Sequence, residues 1–138
     1  MENYFTPAMD AQALRGMSEL ALAHVGDAVF ELLVRSWLSS SSAASTNKNL
    51  HKLAVDYVKA PAQAAFIEYL LPLLTEEETA VYKRGRNAHS HAAPKSATPG
   101  QYARATGLET LFGWLHLSGQ QARVNELFCA GLEALHAV

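Results

Sequence analysis

Apolar residues recur every three or four positions along most of the chain, and no segment alternates strictly between polar and apolar residues within hairpin signals. The pattern predicts helices and no sheet. Capping residues divide it into segments. Ser18 can cap a helix running to about Leu38, and Thr46 a second from about Asn47 to Lys59. Pro61 suits the first turn of a third, which ends near Leu71-Pro72. Thr75 and Glu78 form a capping box for a fourth helix, with Glu76 and Glu77 at its positive end, fading at Gly85. Residues 87–100 carry Pro94 and Pro99 among small and polar side chains and are expected to form a long exposed loop. A fifth helix should run from about Gln101 to Ser118, Gly119 should stop it, and a last helix from about Gln120 to His136 should close an all-α bundle. The serine-rich run from Ser39 to Ser42 reads as a flexible connection.

Two of these helices hold isolated carboxylates. Leu20 to Leu38 is apolar nearly all round, the signature of a helix at the centre of a domain. Its polar residues His24, Asp27, Glu31 and Arg35 fall on one stripe. A carboxylate placed there needs a cation, a donor or water. An ion-pair ladder with His24 and Arg35 is one way to satisfy it. In Tyr102 to Leu117 the only acid is Glu109, with Ala105 and Gly113 four residues to either side. Small residues there, and Gly26 beside Asp27, would let two helices approach closely. Two carboxylates meeting at such a crossing could hold a hard divalent cation through oxygen ligands. Mg²⁺ fits: it tolerates few protein ligands, binds phosphate oxygens and lowers the pKa of a coordinated water.

At 138 residues, with 49% hydrophobic and 17% charged side chains, residues 1–138 are expected to form a single domain. There is no long uncharged apolar segment and no signal-peptide pattern at the N-terminus, so a cytoplasmic protein without a membrane span is expected. Cys129 is the only cysteine, which excludes an internal disulfide, and His89 with His91 is too little for a zinc site. The net charge of −2 conceals an uneven distribution. From Thr79 to Leu108 there is no acid, while Lys83, Arg84, Arg86, Lys95 and Arg104 are basic. The rest of the chain holds 6 basic and 13 acidic residues, from totals of 11 and 13. Such a block suits a phosphate-binding surface, or else is a solvated basic loop. Tyr57, Phe66, Phe112, Trp114 and Phe128 fall at helical spacing among aliphatics and read as core.

The run Leu22-Ala-His-Val-Gly-Asp-Ala-Val-Phe-Glu31 resembles the signature helix of the ribonuclease III family, and Glu109-Thr-Leu-Phe-Gly113 resembles its second acidic motif. Tyr82-Lys-Arg-Gly-Arg-Asn-Ala, followed by Pro94-Lys95, is similar to the Mini-ribonuclease III subgroup, a catalytic domain without a double-stranded-RNA-binding domain. The resemblance implies an all-α, ribonuclease III-type endonuclease domain that forms a homodimer and hydrolyses double-stranded RNA. It implies Asp27 and Glu109 as catalytic, metal-binding carboxylates, Mg²⁺ as cofactor with Mn²⁺ as a substitute, and precursors of 23S ribosomal RNA as substrate. The basic block (Lys83, Arg84, Arg86, Lys95 and Arg104) would then contact RNA. Ala23 and Thr106 stand where full-length ribonuclease III has two further acids, and the Mini subgroup resembles this chain in that respect. Thr106 and Glu31 are candidates for an outer shell, Glu31 alternatively for an ion pair with Arg35. A non-catalytic RNA-binding protein on the same scaffold, or a helical interaction module whose acids pair with His24 and Arg104, are the competing readings.

Overall fold

The computed structural model describes residues 2–41, 47–88 and 93–137, and these contain helices, turns and no strand. The helices are α1 (Ala11–Arg15), α2 (Glu19–Ser40), α3 (Asn47–Val58), α4 (Ala60–Leu70), α5 (Glu76–Arg86), α6 (Pro99–Leu117) and α7 (Gln121–His136), with a 3-10 turn over Leu71–Leu73. The all-α expectation holds. The capping residues act as the sequence suggests: Ser18 Oγ accepts from the Ala21 amide, and Thr75 and Glu78 form a reciprocal capping box. Gly119, at φ 81°, ends α6 in the left-handed region that favours glycine. The expected cap at Thr46 lies outside the described residues, as do His89 and His91.

Four differences separate the fold from the sequence reading. First, α6 begins at Pro99, two residues earlier than the sequence suggests, because Thr98 and Gln101 form a second capping box and proline fits the first turn of a helix. Second, α1 was not anticipated. It is five residues long, held by Asp10 accepting from the Ala13 amide at 2.8 Å, too short to show a period. Third, Ser39 and Ser40 belong to α2 and not to the loop.

Fourth, the central helix is α6, which packs on α2, α4, α5 and α7. Ala105, Thr106, Gly107, Leu108, Thr110, Leu111, Phe112, Gly113 and Leu115 are all buried on it. Only α2's inner stripe, including Leu22, Gly26, Phe30, Val34 and Leu38, is buried. The outer stripe is open: His24, Asp27 and Ala28 are exposed, Leu20 is 39% exposed and Leu32 55%. The all-round apolar pattern of α2 thus exceeds what one copy of the chain buries.

The core is built around Phe30, which is fully buried. Phe66 from α4 meets it edge-on at 5.2 Å, Phe112 from α6 lies at 5.7 Å and Phe128 from α7 at 5.8 Å. Tyr57 and Trp114, also expected in the core, are only partly buried against it. Arg123 on α7 ties the far end together: it donates to both carboxylate oxygens of buried Glu78 and to the Leu73 carbonyl, at 2.8 to 2.9 Å. The Arg123 guanidinium, first, and the Thr75 amide hold the Glu78 carboxyl below the usual carboxylate range.

Candidate active site

The α2–α6 crossing is set by two glycines. A Cβ on Gly26 would fall onto the backbone carbonyl of Glu109, and one on Gly113 onto the backbone carbonyl of Leu22. Each glycine seats the other helix's main chain, and only hydrogen is small enough for both. This approach brings Asp27, next to Gly26, toward Glu109. The other face of α6 uses the same device, since side chains at Gly107 and Gly85 would collide with Tyr82 and Thr110. Fully buried Thr110 is satisfied by donating to its own helix at Thr106 O, 2.8 Å, with Glu19 O also within reach at 3.2 Å.

The two carboxylates named from the sequence therefore meet, and their environments differ. Asp27 is exposed, whereas Glu109 is partly buried. Burial is the main cause that pushes the Glu109 carboxyl up to about 8, and a hydrogen bond and charge repulsion from Asp27 add to it. Gln63 of α4 acts in the opposite direction, favouring the ionised form. This glutamine is 2% exposed. Sequence reasoning passed over it, although it is the one polar side chain between Pro61 and Ile67 in an otherwise apolar run.

The donor set suits a hard divalent cation. Two carboxylates are in reach of each other, and among the described residues no group of three His, Cys, Asp or Glu side chains could hold a metal by itself. A cation that keeps most of its waters needs no more protein ligands than this. A positive charge between the two acids would offset both the desolvation of a Glu109 carboxylate and its repulsion by Asp27.

The other candidate residues are more dispersed. Glu31 pairs with Arg35 across one turn at 2.9 Å. Thr106 is buried and its hydroxyl donates to the Tyr102 carbonyl at 2.9 Å, within its own helix. Lys83, Arg84 and Arg86 occupy the last turn of α5, where cations oppose the negative helix end. Arg84 points toward Glu19 at the start of α2, 3.8 Å away. Arg86 lies over the Tyr82 ring at 5.7 Å, and Arg104, 3.6 Å from Glu68, acts on the same tyrosine. The arginines of the block thus have separate neighbours: Glu19 for Arg84, the Tyr82 ring for Arg86 and Glu68 for Arg104. Lys83 and Lys95 are exposed.

Comparison with known proteins identifies the family. The Ribonuclease III domain family matches residues 20–120, which include both acids. Mini-ribonuclease 3 of Symbiobacterium thermophilum is 47% identical over 114 residues, covering 83% of this chain and 87% of the relative. Mini-ribonuclease 3 of Enterococcus faecalis is 47% identical over 113 residues (80% and 85%), and that of Clostridium tetani 39% identical over 128 residues (92% and 85%). An X-ray crystal structure of a Fusobacterium nucleatum protein superposes with a TM-score of 0.77 at 26% identity, covering 88% of this chain and 96% of that one. The chain therefore belongs to the ribonuclease III family of endoribonucleases, alongside its Mini-ribonuclease 3 members.

Proposed function

We propose that the chain is a Mg²⁺-dependent endoribonuclease that hydrolyses phosphodiesters of double-stranded RNA as a homodimer, acting in the cytoplasm on precursors of 23S ribosomal RNA. The observation that carries the reading is the meeting of Asp27 and Glu109, with the Glu109 carboxyl raised to about 8 by burial and by Asp27. Opposed acids held by glycine-seated main chains make a poor structural device and a good cation site. Asp27 and Glu109 would hold the ion, and Mn²⁺ would substitute for it. When bound, it supplies charge against the phosphodiester and makes water more acidic. The chain's own part is to hold both carboxylates rigidly in register, so that no reorganisation is needed when charge develops on the phosphate. A site with two acids points to hydrolysis rather than to RNA binding alone.

Two strands need two cuts, and a two-fold dimer presents one carboxylate pair to each. The outer stripe of α2 supports this. It carries Asp27 together with solvent-exposed Leu20, Ala28 and Leu32, an apolar surface that a single copy leaves uncovered. Light scattering at micromolar concentration is expected to give the mass of two chains. A one-chain mass with full activity would remove dimerisation from the reading.

Double-stranded RNA is recognised through its backbone and 2′-hydroxyls, so cations matter more than base readers. Arg84 and Arg86 are the strongest candidates, and Lys83, Lys95 and Arg104 are further ones. Arg84 is 57% exposed and its 3.8 Å contact with Glu19 is weak enough for a phosphate to displace. Replacing Arg84 and Arg86 together with alanine is expected to weaken duplex binding and reduce its salt slope by about two, with the fold intact. Binding and salt slope equal to wild type would leave these arginines as a solvated surface. Among the described residues no helix is long and apolar enough to cross a membrane.

A further inference from the structure

The site contains one buried polar group that the two-carboxylate account does not use. Gln63, on α4, is 2% exposed, and its side chain stands near enough to the Glu109 carboxyl to favour the ionised form. Among the described residues its Nε2 meets no acceptor in full hydrogen-bond geometry, although the amide is close enough to Glu109 to act on it. A buried amide without its partner is destabilising, and apolar side chains surround this position on α4, where Ala64, Phe66 and Ile67 are all buried. A leucine or methionine would fill the same space without that penalty. The loosely engaged amide therefore has no purpose in packing, and among the described residues the acid it acts on is Glu109.

We propose that Gln63 is a positioning residue for the divalent-cation site: its Nε2 donates to the Glu109 carboxylate in the cation-bound protein and fixes which oxygens face Asp27. The inference rests on the assignment of Asp27 and Glu109 as cation ligands. The geometry gives the reason for a neutral amide at this place. Exposed Asp27 and buried Gln63 both act on the Glu109 carboxylate, which thus has a fellow ligand and a donor for neighbours. A cation accepts lone pairs from the solvent-facing side, and the inner lone pairs then need a hydrogen-bond donor to be satisfied. An amide meets that need without adding charge, which a lysine would neutralise and a third carboxylate would oppose. Groups of this kind, which orient a ligand without touching the ion, typically change metal affinity by about 10- to 100-fold when removed.

The test separates orientation from packing because the two roles move different quantities in different directions. Gln63→Met keeps length and volume and removes the donor. Mn²⁺ binding to the full chain without RNA is followed by electron paramagnetic resonance, and melting temperature is measured in EDTA. The proposal expects Mn²⁺ affinity to fall by about tenfold or more while the melting temperature stays equal or rises. Equal Mn²⁺ affinity in the wild type and a folded variant overturns the proposal and leaves Asp27 and Glu109 as ligands. No Mn²⁺ binding by the wild type, or binding unaffected by Asp27→Asn, overturns the ligand assignment and this inference with it. Gln63→Leu serves as a second variant. If neither folds, the amide is a structural requirement and the proposal fails.

Discussion

Gly26→Ala is expected to destabilise the protein by about 3 kcal/mol or more and to lower its melting temperature by roughly 10 °C or more. The added methyl group would occupy the position of the Glu109 backbone carbonyl, with the Gly113 amide directly behind it. Overpacking against a flexible side chain can be relieved by a rotamer change, but a helix backbone has no such freedom. The two helices must separate along the contact that organises the fold, since α6 is the element on which α2, α4, α5 and α7 all pack. The loss is large against a total stability of about 5–15 kcal/mol for a domain. Gly100→Ala is the control, because its Cβ would meet nothing nearer than the tip of Arg104 at 3.5 Å, an ordinary contact. That variant should melt within a few degrees of wild type, or slightly higher, as alanine favours a helix over glycine. A Gly26→Ala protein that melts like wild type would mean that α2 and α6 are not seated main chain to main chain.

Glu109→Gln is expected to reduce RNA cleavage by at least about a thousandfold and, in the same protein, to raise the melting temperature in EDTA at pH 8. The opposite signs follow from one cause. The folded chain holds the Glu109 carboxyl at about 8 against an ordinary value of 4.5, mainly through burial and secondarily through Asp27. Between those two values the folded state keeps a proton that the unfolded state has released. Stability of the metal-free protein therefore falls as pH rises from about 4.5 to 8, and the whole penalty is present above that range. Glutamine carries no charge, so the variant should lose this slope and be the more stable protein at pH 8. A divalent cation should do for the wild type what the amide does for the variant, raising its melting temperature by binding the folded state alone. A variant that is less stable than wild type at pH 8 in EDTA would show that Glu109 supports the fold. Thermal melts across pH, with and without Mg²⁺, separate these cases.

Much of this arrangement can be read from the chain, and the reasons differ between residues. Asp27 and Glu109 stand out because each is an isolated acid on an apolar helix beside glycine, and the structure joins them through those glycines. Capping residues have short-range, stereotyped geometry, so Ser18, Thr75 and Gly119 mark boundaries reliably. Pro99 misleads because proline both breaks helices and begins them, and only Thr98 with Gln101 resolves which it does here. The apolar α2 suggests the centre of a domain, yet its outer stripe is exposed, because periodicity reports how many faces are apolar and not what covers them. Gln63 gives almost no signal: it is uncharged, belongs to no motif, and gains meaning only when α4 is placed against Glu109. The basic block reads as one run of unpaired cations in the sequence, whereas in the fold Arg84 faces Glu19, Arg104 faces Glu68 and Arg86 lies over the Tyr82 ring.

The most direct test is cleavage of a long, perfectly paired RNA duplex by the purified protein, with Mg²⁺ or with EDTA, beside a folded Asp27→Asn variant. The account predicts internal cuts that require the cation and disappear in the variant. Duplex binding without cutting under every condition would contradict it and leave a non-catalytic RNA-binding protein on a nuclease scaffold.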